Sequence, residues 1–166
     1  MAADDGFLVV NHFSNSDTQK WLIAGNRICK FVDPDQVLDV FEANADPGTQ
    51  ICKYDFHGGP NQLWTFEHLY ATRTYLVFSC HASYSYKLLS CCSPAEFFFI
   101  VSQLNEEMCL DVSRGDPEPK TRILTWTVYV EEGRPHQLWY EDRHAYIRSK
   151  LNDLVMDANS TELLIN

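Results

Sequence analysis

Two aspartates, Asp39 and Asp111, stand in the same short phrase, Leu-Asp-Val. Each is followed at a similar distance by Gln-x-Trp: Gln62-Leu63-Trp64 comes 23 positions after Asp39, and Gln137-Leu138-Trp139 comes 26 after Asp111. Leu38 and Val40 share one face of an extended chain, so Asp39 must point to the other. A carboxylate turned away from the core can accept two hydrogen bonds from neighbouring hydroxyl groups, each charge-assisted bond worth about 1.5–3 kcal/mol. The competing role is local, an aspartate capping the turn that follows its strand. For Gln-x-Trp the residues favour architecture: Trp64, Trp139 and Trp21 fill the core, and the Gln amide ties down nearby backbone. Fainter copies of both phrases occur as Thr18-Gln19-Lys20-Trp21 and Val155-Met156-Asp157-Ala158.

These spacings define a repeat, and a repeat decides the fold. One unit spans about 27–68 and another about 98–143. The remaining ends complete a third, with 145–166 resembling a first half and 6–26 a second half. Ile147-Arg148-Ser149-Lys150-Leu151-Asn152 echoes Ile100-Val101-Ser102-Gln103-Leu104-Asn105 at the head of its unit. Apolar residues come in short bursts (Ile28-Cys29, Val37-Leu38, Leu63-Trp64) separated by turn formers such as Asp33-Pro34-Asp35 and Gly58-Gly59-Pro60. No stretch sustains a helical period. Four short strands in each of three units predict a single all-β domain over 1–166, a β-trefoil with one unit split across the termini. Whether the split unit closes within one chain or between two stays open.

With 166 residues, 45% of them hydrophobic, the chain can build one proper core. Four Trp, eight Tyr and ten Phe supply large side chains to short strands. A formal net charge of −10 argues against nucleic acid or an anionic membrane as partner, and does not count against a neutral ligand. No apolar run is long enough to cross a bilayer, so membrane insertion is not expected. Met1-Ala2-Ala3-Asp4-Asp5 lacks the features of a secretory leader, which leads to the expectation of a cytoplasmic protein, with non-classical export left open. The six cysteines do not recur at matched positions, so free, buried thiols are expected.

The two phrases and their spacing resemble the ricin B-chain-type lectin family, whose units carry Leu-Asp-Val and close with Gln-x-Trp; the likeness spans about four-fifths of the chain. The resemblance implies a carbohydrate-binding protein for galactose or N-acetylgalactosamine on glycans and glycoconjugates. The matching Asp grips sugar hydroxyls, and an aromatic on the third strand stacks on the ring. The residue before Gln-x-Trp and the Gln complete the cleft. Carried over, the first unit offers Asp39, Tyr54, Asn61 and Gln62, and the second Asp111, Trp126, His136 and Gln137, with imidazole replacing the amide. For Tyr54 and Trp126 a plain core role is the alternative. The split unit offers Asp157, Thr18 and Gln19, with His12 at the aromatic place when Gly6 is aligned with Gly48. On this reading Asp39→Ala or Tyr54→Ala weakens galactose binding and leaves the thermal midpoint nearly unchanged.

A protein-binding trefoil, such as a protease inhibitor or scaffold, is the rival. Catalysis finds no motif: no Gly-x-Ser-x-Gly, no phosphate loop and no His-Glu-x-x-His is present, and no cofactor is implied. Glu106-Glu107 and Glu131-Glu132 read as solvated turn charges. The stretch 69–97 fits no unit and reads as an inserted hairpin; its Cys80, His81, Cys91 and Cys92 match no zinc-site spacing. Oligomeric state is not encoded in any of these features.

Overall fold

A computed structural model describes residues 6–69, 97–129 and 134–158. The inserted stretch, Glu131-Glu132 and the four possible metal ligands within the insertion therefore lie outside the described residues, apart from Leu69 and Phe97 at its edges. Twelve strands are present among them. The first unit holds β3 (Arg27–Lys30), β4 (Gln36–Val40), β5 (Ile51–Asp55) and β6 (Trp64–His68). The second holds β7 (Phe98–Ser102), β8 (Met108–Val112), β9 (Ile123–Thr127) and β10 (Trp139–Glu141). The third is assembled from β11 (Ile147–Ser149), β12 (Val155–Asp157), β1 (Val9–Asn11) and β2 (Trp21–Ala24). Head and tail meet within one chain, because β1 pairs antiparallel with β12, Val9 opposite Asp157. This is an all-β trefoil with its third unit split across the termini.

The Gln-x-Trp tryptophans explain how the units join. Each opens the fourth strand of its unit and sits opposite the first strand of the next: Trp64 faces Ser102, Trp139 faces Ser149, and Trp21 faces Lys30. All three indoles are buried in one cluster with Leu8, Ile51 and Ile123, residues that open the third strand or its approach in each unit. Backbone bonds close the ring near the axis, with Leu8 N donating to Ile51 O at 2.8 Å and Ile123 N to Leu8 O at 2.9 Å. Burying an aromatic of this size is the largest apolar contribution a short strand can make. Cys29, Cys52 and Cys109 are buried.

One matched position breaks the symmetry. Ser102 and Ser149 each accept a hydrogen bond from the backbone N–H two residues on, at Leu104 and Leu151, whose side chains pack against the core. The first unit has Lys30 there. Its ammonium is buried over the Trp21 ring, 4.5 Å from the centroid, and donates to Asp17 O. Phe31 and Val32 beyond it are exposed. Burial lowers the Lys30 pKa to about 8, against the opposing pull of Asp157. A folded value below the unfolded one means that the unfolded chain binds more protons between the two, so the contribution of this group to stability rises with pH across that window. Lys30 alone is expected to add about 1–2 kcal/mol of unfolding free energy between pH 8 and 9.5. Against it runs the opposite drift from the buried thiols Cys29 and Cys109, whose raised pKa values cost stability as pH rises. Lys30→Ser is expected to leave only that opposite drift, so the parent and variant should differ by the Lys30 increment. Urea titrations of both proteins at the two pH values check this.

Candidate functional site

In β4, Leu38 and Val40 enter the core and Asp39 faces outward, as strand alternation requires. Asp39 sits opposite Cys52, and Tyr54 sits opposite Val37 on the same outer face, so aspartate and tyrosine are diagonal neighbours. Tyr54 is 47% exposed while Asp39 is only 4% exposed. A single tight turn over Pro60–Gln62 brings two amides back onto the carboxylate. Asn61 Nδ2 donates to Oδ1 at 3.0 Å and Gln62 Nε2 to Oδ2 at 2.7 Å. Gln62 also donates to Asp55 O at 2.9 Å and accepts from His57 N at 2.8 Å and Gly58 N at 3.2 Å. The His57 ring lies edge-on to Tyr54, with its Nε2 3.6 Å from Asp39 Oδ2.

The second unit repeats the frame. Asp111 faces Leu124, Trp126 faces Cys109, and the turn over Pro135–Gln137 returns Gln137 Nε2 to Asp111 Oδ2 at 2.8 Å. Gln137 further bridges Thr127 O at 2.9 Å and Tyr129 N at 3.0 Å. Asp111 is 3% exposed and Trp126 39%. His136 Nε2 stands 3.7 Å from Asp111 Oδ2, beyond hydrogen-bond reach, so the imidazole does not take over the bond that Asn61 makes. Gly115 turns beside that ring at φ +63°, a conformation that favours glycine; a Cβ there would sit in contact with His136 Nδ1, at 3.4 Å. Asp111, Ser113, Arg114, Leu124 and Trp126, with Tyr129, Arg134 and His136, line a cleft of about 470 Å³.

In the split unit Gln19 Nε2 reaches Asp157 Oδ2 at 3.0 Å and His12 O at 2.8 Å, with Ser14 N donating to its Oε1 at 2.9 Å. The register corrects the alignment of this unit. Val9 opposite Asp157 matches Cys52 opposite Asp39, so the counterpart of Tyr54 and Trp126 is Asn11, not His12. Asn11 Nδ2 donates to Asp157 Oδ2 at 3.3 Å, and no ring stands there. The usable signal was Leu8, which matches Ile51 and Ile123 and puts Asn11 three positions on; Gly6 was a misleading anchor. Thr18 bonds Ser16 instead of the aspartate.

A second correction concerns Asp39. It is enclosed and bonded, so Asp39→Ala leaves Asn61 Nδ2 without its acceptor and Gln62 Nε2 with one acceptor of two, and the thermal midpoint is expected to fall. Burial also raises the pKa of Asp39 and of Asp111 above the model-compound value of 3.8, against the lowering effect of the amide donors. Between 3.8 and the raised value the folded state holds more protons than the unfolded one, so these two groups add stability as pH falls through that window. Each carboxylate still has lone pairs its protein donors do not use, and protonation removes them as acceptors. Sequence reasoning missed His57, Arg114, Tyr129 and Arg134. Arg114 was within reach, since it stands three residues after Asp111 as Glu42 does after Asp39.

No protein-family model and no curated protein matches the chain. Among solved structures it is similar to a designed 3-fold symmetric protein, ThreeFoil, with a TM-score of 0.55 at 15% identity, covering 82% of this chain and 97% of that one. At that identity the likeness is one of fold. A mosquitocidal holotoxin aligns with a TM-score of 0.47 at 11% identity, covering 95% of this chain and 28% of that one.

Proposed function

We propose that this β-trefoil is a carbohydrate-binding protein of the ricin B-chain type, taking galactose or N-acetylgalactosamine in the outer-face clefts of its first and second units. One observation carries the reading: in both units a carboxylate braced by Gln sits beside an exposed aromatic on the same sheet face. The pairing suits a pyranose, which offers vicinal hydroxyls on its edge and a C–H surface on one face. Tyr54 and Trp126 supply the flat wall; Asp39 and Asp111 supply oriented acceptors. Asn11 in place of the aromatic leaves the split unit without a wall, so two working clefts are proposed. A monosaccharide in so shallow a site binds at about millimolar, near −4 kcal/mol. Clustered glycans gain through simultaneous engagement where spacing permits.

Calorimetric titration with galactose and N-acetylgalactosamine, preceded by a glycan array, tests this. Tyr54→Ala and Trp126→Ala are each expected to remove one class of site. The first should shift stability by about 0.5 kcal/mol or less, and the second by about 1 kcal/mol, because the Trp126 indole is more than half buried and donates to the Tyr129 hydroxyl. Binding is expected to weaken on acidification from a higher pH than a solvated aspartate would give, because burial raises the pKa of Asp39 and Asp111. A double variant that binds like the parent would overturn the assignment. The protein-binding alternative draws on the adjacent exposed pair Phe31 and Val32, in the turn between β3 and β4. Phe31→Ser with Val32→Ser should leave sugar titrations untouched.

A further inference from the structure

The two carboxylate clefts share a backbone frame and differ in charge at one matched place. Three residues past each buried aspartate the chain turns left-handed, at Glu42 with φ 55° and at Arg114 with φ 58°. In the second unit Arg114 lines the cleft together with Arg134 and His136. Arg134 is not loose: its guanidinium carbon lies 3.6 Å from the centre of the Tyr129 ring. The Tyr129 hydroxyl in turn accepts from Trp126 Nε1 at 3.1 Å, so indole, phenol and guanidinium form one continuous wall. Among the described residues lining the cleft, the carboxylate facing them is Asp111, buried and bonded to Gln137. On a chain of net charge −10, the described lining of this cleft is a local reversal of sign. Guanidinium groups held against an aromatic are well suited to pair with a carboxylate or sulfate oxygen.

We propose that the second-unit cleft selects an acidic saccharide, one carrying a carboxylate or a sulfate group. Arg114 and Arg134 pair with the anionic group while Trp126 stacks on the sugar ring. The first unit, with Glu42 at the matched position, takes neutral sugar only. The proposal rests on the carbohydrate-binding reading above and adds a ligand class and a division of labour between the units.

The test is calorimetry on the full chain with lactose, 3′-sialyllactose and 3-O-sulfated galactose, at low and high salt. Either acidic probe is expected to bind about tenfold more tightly than lactose at low salt, and to lose most of that margin at high salt. A preference confined to the sialylated or to the sulfated probe supports the proposal and names the anion. Arg114→Glu is expected to erase the preference and keep lactose binding; Glu42 shows that glutamate is accommodated at this left-handed position. Trp126→Ala should remove acidic binding altogether. Equal affinity for acidic and neutral probes, with binding still sensitive to Trp126→Ala, overturns the acidic selectivity and leaves the carbohydrate reading standing. An Arg114→Glu protein that keeps the preference also overturns it. Absence of binding to all three probes overturns both.

Discussion

Trp139→Ala is expected to lower the unfolding free energy by about 3–5 kcal/mol. The indole is 0% exposed, and it stands at a junction: Trp139 pairs with Phe98 in its own unit and with Ser149 in the next. Truncation leaves a void where two units meet, and collapse around it would disturb both. Against the 5–15 kcal/mol available to a typical domain, that loss is large. The indole also makes a bond, Nε1 donating to Leu110 O at 3.2 Å, as Trp21 Nε1 does to Met156 O at 3.2 Å. Trp64 fills the same seat in the first unit, but its Nε1 is buried with no hydrogen-bond partner. Trp139→Phe should therefore cost about 1 kcal/mol more than Trp64→Phe, since only the former breaks a hydrogen bond. Equilibrium urea unfolding of the three variants checks both points. Equal losses for the two phenylalanine variants would count against the donor difference.

Asp39→Ala is expected to lose both ligand binding and about 1–3 kcal/mol of stability. Removal of the carboxylate leaves Asn61 Nδ2 without its acceptor, and Gln62 Nε2 with Asp55 O alone. Asp39→Asn does not rescue the site. Its amide can accept from one of the two donors and presents its own N–H group to the other. Tyr54→Ala, by contrast, removes an exposed ring that braces nothing inside the core. The contrast separates the two roles: the aspartate is both acceptor and structural member, the tyrosine only wall. Thermal unfolding of Asp39→Ala, Asp39→Asn and Tyr54→Ala, read beside galactose titrations, checks it. A midpoint for Asp39→Ala equal to that of the parent would show that the two amides find other partners.

A large part of the trefoil was legible in the chain because its repeat is carried by residues that have one good place to go. A tryptophan following Gln-x must be buried, and short apolar bursts between Asp, Gly and Pro have strand length and turn chemistry at their ends. Leu-Asp-Val imposed the outward direction of the aspartates through strand alternation alone. The aromatic partners followed in the two intact units because Ile51 and Ile123 mark the same register. That register failed for the split unit, where Gly6 was taken for the counterpart of Gly48. Glycine marks a turn without fixing its phase; Leu8 carries the phase, and the pairing of Val9 with Asp157 places Asn11 at the aromatic position.

What the residues determined by themselves was periodicity: three units, twelve strands, which side chains go inward and which aspartates go outward. Those properties are local, set by alternation and turn chemistry within a few residues of chain. What only the tertiary structure decided was how enclosed the outward carboxylates are, which amides hold them, and which cations gather around one of them. Such properties depend on turns returning from further along the chain, Pro60–Gln62 onto Asp39 and Pro135–Gln137 onto Asp111. No local pattern encodes the distance at which two returning segments stop, and that distance separates a solvated acid from a braced one.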